Sequence, residues 1–249
     1  NGETDLSNTP GLVIRKDGGS FQTPTHQRVK AIDDLPKPAW DLIPLEKYLS
    51  LGLSYGVNRG RSMPMLASRG CPYQCTFCSS PMMWTTRWYS RDIDTLVNEI
   101  QGYINEYQIT NVDFYDLTAI VKKPWIIAFC KELLKRKIDI TWQLPSGTRS
   151  EALDEEALYW LYHSGCRNIT YAPESGSKKT LREIKKKVKL ERMIDSIRHA
   201  AKQGLVIKVN IVLGFPDDTH ADIFWTFWFL AKVSAAGAHD VGMAVFSPY

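Results

Sequence analysis

The 249-residue chain lacks an apolar run long enough to cross a membrane. Its most apolar window, residues 223–231, reads IFWTFWFLA, which is far shorter than the ~20 residues that a membrane-spanning helix needs. The chain also has no charged start followed by an apolar stretch and a cleavage site, so we find no signal peptide. We expect no transmembrane segment and interpret the window as a barrel helix that is buried on one face.

Cysteine and net charge are also sparse. The five cysteines are an odd number, and a secreted disulfide scaffold would be shorter and richer in cysteine. A reducing cytosol fits better, so we expect a cytoplasmic protein. The net charge is only +4, which gives no reason to expect a nucleic-acid partner. Apolar residues make up 44% and charged residues 23% of the chain, as in globular proteins with a substantial core.

The first 60 residues differ in composition from the rest. Asn, Thr, Pro, Gly and Asp are frequent there; residues 12–15 form the only strand-like piece, and residues 35–40 are stiffened by two prolines. We predict that residues 1–60 are a linker and lead-in from a missing N-terminal domain, and that residues 61–249 form the core. Because the chain starts at Asn1 and stops at Tyr249 after a strand-like run, we expect it to be a fragment of a longer protein.

From residue 63 onward, strand patterns alternate with helix patterns. Such alternation predicts parallel βαβ units. The fold class is therefore α/β, a partial (β/α)6 TIM-like barrel of parallel strands whose last helix is missing. The predicted strands are residues 63–68, 111–115, 138–143, 168–172, 205–213 and 241–246, and the predicted helices are residues 93–107, 124–137, 154–163, 190–203 and 220–236.

Barrels of this kind place their chemistry at the carboxyl ends of the strands. Polar and glycine-bearing clusters should therefore follow the predicted strands, and they do. These clusters are residues 69–71, Asp116, residues 146–149, residues 174–176 and residues 214–218.

The most specific signal is the run CPYQCTFC, with cysteines at 71, 75 and 78. Three thiolates in one loop leave a tetrahedral metal site one ligand short, whereas an iron–sulfur cluster held by three cysteines keeps one iron free. A structural zinc site is the alternative, but no fourth Cys or His follows closely. Cys130 and Cys166 are interpreted as small buried apolar residues.

The Cys-x3-Cys-x2-Cys motif, with Phe77 just before the last cysteine, resembles the signature of the radical S-adenosylmethionine (SAM) superfamily. Further motifs resemble its cobalamin-binding branch, which includes methyltransferases and the anaerobic magnesium-protoporphyrin cyclase. These motifs are RGCPYQCTFC at 69–78, DFYD at 113–116, APESG at 172–176, GFP at 214–216 and FSPY at 246–249.

This resemblance implies that Cys71, Cys75 and Cys78 hold a 4Fe–4S cluster whose free iron chelates SAM. One electron then cleaves SAM to a 5′-deoxyadenosyl radical, which abstracts hydrogen from a small-molecule substrate. It implies an electron donor such as flavodoxin or ferredoxin, and cobalamin-dependent C-methylation. The cobalamin would be bound mainly by the missing domain, since no Asp-x-His-x-x-Gly occurs in the chain. The alternatives are a radical cyclase or rearrangement enzyme of the same branch, and a non-catalytic zinc or Fe–S binding module.

The resemblance also implies further cofactor-binding residues. Glu174 and Ser175 match the family's ribose contact, although Ser175 or Ser177 could instead cap a helix. Asp116 stands where many members carry Gly-Gly-Glu to hold the SAM amine, a departure from the pattern.

Three more positions complete the set of expected cofactor-binding residues, and a run of lysines is interpreted separately. Gly214 matches the turn beside adenine, and Phe77 belongs to the cysteine motif. Arg149 is either a partner of the SAM carboxylate or a surface residue. The lysines at 185–187 and 189 are interpreted as a solvated helix face.

Overall fold

The computed structural model describes residues 6–16, 18–24, 29–149 and 153–247. It divides into two compact units, Asn1–Ala31 and Ile32–Tyr249. In the first unit, β1 (Val13–Lys16) pairs antiparallel with β2 (Gly19–Gln22), and a 3₁₀ turn covers Leu6–Asn8.

The second unit is built on a parallel sheet of six strands. In their order across the sheet, these are β10 (Asp240–Val245), β9 (Val206–Leu213), β8 (Cys166–Glu174), β7 (Thr141–Thr148), β6 (Asn111–Phe114) and β3 (Ser62–Met65). All five pairings within it are parallel. The two end strands do not pair with each other, so the barrel is open, as predicted. Two further short strands, β4 (Ser68–Arg69) and β5 (Tyr89–Ser90), pair with each other outside this sheet.

Helices alternate with these strands, as the sequence pattern predicts. Side-chain caps define the starts of four of the described helices: Asp92, Asp154 and Ser177 each accept a hydrogen bond from a backbone N–H three residues later, and Thr219 forms a capping box with Asp222. The helices are α1 (Leu45–Ser50), α2 (Ser80–Trp84), α3 (Ile93–Tyr107), α4 (Lys123–Lys135), α5 (Glu155–His163), α6 (Lys178–Glu183), α7 (Leu190–Lys202) and α8 (His220–Ala235).

Two strands extend beyond their predicted ends. β7 continues through Pro145 to Thr148, and β8 continues through Pro173 to Glu174. Each strand shows a register shift at its proline, between Leu144 and Gly147 in β7 and between Tyr171 and Glu174 in β8. Because proline cannot donate to the ladder, such irregularities let a strand run past it.

Alternate residues of the sheet serve different purposes. In β6, Val112 and Phe114 belong to the hydrophobic core, where Phe114 packs edge-on against Trp142. Asn111 and Gln143 instead donate hydrogen bonds of 2.6 Å to Oδ1 of the buried Asp113. The period of two in a strand thus separates an apolar layer from a polar one.

Residues 32–60 belong to the same compact unit as the sheet. Leu45 and Leu49 of α1 are core residues, and the Trp40 indole donates to the Tyr103 hydroxyl at 3.0 Å. The Gln143 side chain bonds both the N–H and the C=O of Val57. The assignment of residues 1–60 as a lead-in from a preceding domain stays a prediction.

The apolar window at 223–231 lies in α8, where Phe229 is buried while Phe224, Trp225 and Trp228 are at least half exposed. No helix in the described part of the chain is long and apolar enough to span a membrane.

Candidate functional site: the cysteine loop and the carboxyl ends of the strands

The cysteine loop begins directly after β4. Gly70 precedes the first cysteine with a φ of +86°, and a Cβ there would lie 2.1 Å from the carbonyl oxygen of Arg87. Only glycine fits this approach without a shift of backbone. Cys71, Cys75 and Cys78 are all partly exposed, whereas Cys130 and Cys166 are buried.

The donors around the loop suit sulfur ligands. The Ser80 N–H donates to Cys78 Sγ at 3.4 Å, and the Thr118 hydroxyl lies 3.5 Å from Cys71 Sγ. Ser80 Oγ is buried and, among the described residues, has no hydrogen-bond partner. A buried, unpaired hydroxyl two residues from a thiol is a donor available to a bound sulfur-rich group. The residues present therefore fit an iron–sulfur cluster.

In the described ranges, no group of three or more His, Cys, Asp or Glu side chains is arranged to hold a single metal ion. Cysteines that share an iron–sulfur cluster bind separate irons and need not converge on one point, as the ligands of one zinc ion must. The loop geometry is thus compatible with a cluster. The assignment of the three cysteines as its ligands stays a prediction.

Cys75 lies among positive charges. Burial raises the pKa of its thiol, while the cations Lys186 and then Arg149 act in the opposite direction. Positive charge stabilises thiolates, the form that binds metal. Lys186 Nζ also lies 6.0 Å from the centre of the Phe77 ring.

The position of Lys186 differs from the expectation of a solvated lysine run. Lys185, Lys187 and Lys189 are exposed, but the side chain of Lys186 is only 10% exposed and pairs with Glu174 at 2.8 Å. The cause is local: Lys185 adopts a left-handed φ of +53°, and the Lys186 N–H bonds back to the Leu181 carbonyl. This tight turn after α6 carries Lys186 toward the cysteine loop, a placement that charge pattern alone does not reveal.

Glu174, the predicted ribose contact, ends β8 with a φ of +69°. A left-handed conformation is strained for a residue other than glycine. The strain accompanies the register shift that begins at Tyr171. In this left-handed conformation, the Glu174 carboxylate lies beside Lys186 at the carboxyl end of the sheet.

Ser175 is almost fully buried and pairs with the Thr226 hydroxyl of α8 at 3.1 Å. It also accepts the Ser177 N–H, and Ser177, not Ser175, caps α6. The observed contacts of Ser175 therefore connect β8 to α8. Its ribose contact stays a prediction.

Arg149 is not a surface residue. It is 6% exposed, and its guanidinium stacks on the Tyr73 ring at 3.5 Å. This cation–π contact joins the end of β7 to the cysteine loop. The burial of Arg149 contradicts the surface alternative, and its pairing with the SAM carboxylate stays a prediction.

Gly214 has a φ of +79°, and a Cβ there would meet nothing within 4 Å. The next residue, Phe215, contacts Phe77 at 5.5 Å and Phe246 at 5.2 Å between ring centres. Gly214 therefore lies beside open space. It is next to a cluster of Phe77, Phe215 and Phe246, of which Phe77 belongs to the cysteine motif. Pro248 and Tyr249 of the FSPY motif lie outside the described residues.

Both carboxylate oxygens of Asp116 accept hydrogen bonds from the protein. Its Oδ2 accepts the Ala67 N–H at 3.0 Å and its Oδ1 accepts the Ser68 hydroxyl at 2.5 Å. Burial raises the pKa of Asp116 to about 6. The contact with the SAM amine stays a prediction, and the observed partners of this carboxylate are backbone and side chain of residues 67–68.

Comparison with known proteins identifies one family. The model of the Radical SAM superfamily matches residues 65–227. An uncharacterized methyltransferase from Pyrococcus horikoshii is 28% identical over 92% of this chain and 48% of its own length. Cytidylyl-2-hydroxyethylphosphonate methyltransferase from Streptomyces wedmorensis is 30% identical over 74% of this chain and 35% of its own. The chain thus spans half or less of these curated relatives.

Other similarities concern a cyclase and the fold. The anaerobic magnesium-protoporphyrin IX monomethyl ester cyclase of Rubrivivax gelatinosus is 24% identical over 82% of this chain and 35% of its own length. The radical SAM methyltransferase TsrM from Kitasatospora setae has a TM-score of 0.72 at 17% identity, covering 96% of this chain and 46% of its own. The cobalamin-dependent enzyme OxsB has a TM-score of 0.74 at 19% identity, covering 92% and 33%. At these identities the two structures show the shared fold alone.

Proposed function

The chain belongs to the radical SAM superfamily, and on that basis we propose that it is the SAM-cleaving core of a cobalamin-dependent C-methyltransferase. Membership of this family implies a 4Fe–4S cluster and SAM as cofactors. The observation that carries the proposal is the similarity, over most of this chain, to proteins named methyltransferases. The structures of TsrM with cobalamin and a 4Fe–4S cluster bound and of OxsB with aqua-cobalamin bound support the choice of methyl carrier.

Within this proposal, Cys71, Cys75 and Cys78 hold the cluster. When bound there, the cluster would supply the electron that splits SAM into methionine and a 5′-deoxyadenosyl radical. The protein residues must then orient SAM and exclude water around it. The Ser80 N–H and the Thr118 hydroxyl lie within reach of two of the three sulfurs, so the loop is held by donors that suit thiolate ligands.

We assign the charged parts of SAM to charged residues beside the loop. The methionine carboxylate needs a cation. Lys186 is nearly buried, and among the nearby cations it lowers the pKa of the Cys75 thiol the most. Arg149, stacked on Tyr73, is the second cation of this region. Lys186 can pair with Glu174 and with the methionine carboxylate at the same time. The remaining lone pairs of the Glu174 carboxylate suit the ribose hydroxyls. The open space at Gly214 is assigned to adenine.

A radical cyclase is the second candidate, because the magnesium-protoporphyrin cyclase is similar over 82% of this chain. The two reactions leave different products from SAM. Radical formation leaves methionine and 5′-deoxyadenosine, whereas methyl donation leaves S-adenosylhomocysteine. Both candidates need a small-molecule substrate and a one-electron donor of the flavodoxin or ferredoxin kind.

The test uses protein produced from its complete native gene, reconstituted with iron and sulfide without oxygen. Dithionite, hydroxocobalamin and SAM labelled in its methyl group are added. We expect 5′-deoxyadenosine, together with S-adenosylhomocysteine and label recovered with cobalamin. Release of 5′-deoxyadenosine without label on cobalamin would favour the cyclase, and the absence of 5′-deoxyadenosine would contradict both candidates. The Cys75→Ala variant is the blank.

A further inference from the structure

The loop that follows β6 is clamped to the chain that leads into the cysteine loop. Asp116, 1% exposed, accepts the Ala67 N–H and the Ser68 hydroxyl. Two residues later, the Thr118 carbonyl accepts the Trp88 indole N–H at 3.0 Å. The backbone of Thr118 is therefore fixed against both the entry to the cysteine loop and the segment that leaves it.

The clamp places one hydroxyl beside a cysteine sulfur. Thr118 is 4% exposed, and its Oγ1 lies 3.5 Å from Cys71 Sγ, within the longer range of hydrogen bonds to sulfur. The same hydroxyl lies 2.7 Å from the Leu117 carbonyl. A hydroxyl has one proton to donate, so the two acceptors compete for it. A thiolate that binds metal is charged, and charge-assisted bonds are the stronger ones.

We propose that Thr118 is a positioning residue that donates a hydrogen bond to Cys71 Sγ and thereby raises the reduction potential of the cluster, with Asp116 holding the loop at the required distance. The inference rests on the proposed function, since Cys71 must be a ligand. Hydrogen bonds to the sulfurs are one of the terms that set the potential of an iron–sulfur cluster. A donor near sulfur favours the reduced state, because reduction adds negative charge.

The inference also gives the Asp116 position a role that differs from binding the SAM amine. Both oxygens of Asp116 already accept hydrogen bonds from residues 67–68. Its loop reaches the cofactor through Thr118 instead. On this view, a position that contacts SAM in many relatives acts on the cluster in this chain.

The experiment compares Thr118→Val, which keeps the shape but removes the donor, with Thr118→Ser, which restores it. Thr118→Ala serves if valine is not accommodated. The matched control is Thr141→Val, which removes a hydroxyl that bonds Thr110 and Asn111 at the other end of the sheet. Iron content and the midpoint potential, followed by electron paramagnetic resonance, are measured on each reconstituted protein without substrate.

We expect Thr118→Val to keep its cluster but to disfavour the reduced state up to about tenfold, which is about 59 mV for a one-electron couple. Thr118→Ser and Thr141→Val should match the parent. An unchanged potential in Thr118→Val, or an equal shift in Thr141→Val, would overturn the inference while leaving the proposed function intact. A parent protein that binds no iron would instead refute the proposed function, and the inference with it.

Discussion

Lys186 Nζ lies 2.8 Å from Glu174 Oε1, and neither side chain is more than 12% exposed. This ion pair joins the turn after α6 to the end of β8, beside Cys75 and Phe77. A nearly buried pair at the mouth of an open barrel is well placed to exchange one protein partner for a charged ligand. Two residues in unusual left-handed conformations, Glu174 and Lys185, produce this arrangement.

The Lys186→Met variant should bind SAM more weakly than the parent. Loss of a hydrogen bond between charged groups costs about 1.5–3 kcal/mol, so we expect roughly a ten- to hundredfold rise in the dissociation constant, measured by calorimetry on reconstituted protein. Lys187→Met, one residue away but exposed, is the control and should bind as the parent does. Equal affinities of Lys186→Met and the parent would remove this lysine from the SAM site.

Replacement of any one of Cys71, Cys75 or Cys78 by alanine should abolish the cluster, because each is expected to bind its own iron. Cys130→Ala and Cys166→Ala should keep it, since burial raises the pKa of Cys130 to about 12 and that of Cys166 well above its ordinary value. Buried thiols of this kind are poor metal ligands. Iron analysis and visible absorbance measure the outcome. Bleaching by Cys166→Ala as complete as that by Cys75→Ala would contradict the assignment.

Asp116 should make the stability of the cluster-free protein depend on pH. Its pKa is raised from 3.8 to about 6 by burial, so folding favours the protonated carboxyl. This contribution to the free energy of unfolding is complete below pH 3.8 and is lost as the pH rises through 6.

Urea unfolding of the parent and of Asp116→Asn isolates this effect. Between pH 4 and 7.5 the parent should lose about 2–3 kcal/mol relative to the variant, at 1.36 kcal/mol per pKa unit. A difference between the two proteins that stays constant over this range would show that Asp116 titrates at its ordinary pKa.

Gly70→Ala should destabilise the protein more than Gly214→Ala. Both glycines have a positive φ, which costs an alanine about 1–2 kcal/mol. Only at Gly70 would the new Cβ also meet a backbone oxygen, that of Arg87 at 2.1 Å, and such overpacking adds about 1–3 kcal/mol. Denaturant unfolding of the two variants gives the comparison. Equal losses would mean that residues 87 and 70 can separate without cost.

The local features of this protein could be predicted from its sequence. The spacing of Cys71, Cys75 and Cys78 points to the family because the three cysteines lie in one loop, whose geometry depends on few distant residues. The alternation of strands and helices predicts the open parallel barrel, because periodicity is set by which face of each element is buried. The predicted carboxyl ends of β7 and β8 were wrong, because prolines that usually end a strand are accommodated here by register shifts.

Only the tertiary structure decided which side chains share the site. Lys186 resembles its exposed neighbours in the sequence, and it turns inward because Lys185 reverses the chain beside Glu174. Arg149 could equally lie on a surface until Tyr73 of a distant loop covers its guanidinium. The Asp116 carboxylate accepts hydrogen bonds from residues 67 and 68, a contact that its place in the sequence does not reveal. The burial and pairing of these charged side chains depend on which helices, strands and loops pack together. The pattern of a single sequence does not reveal that packing.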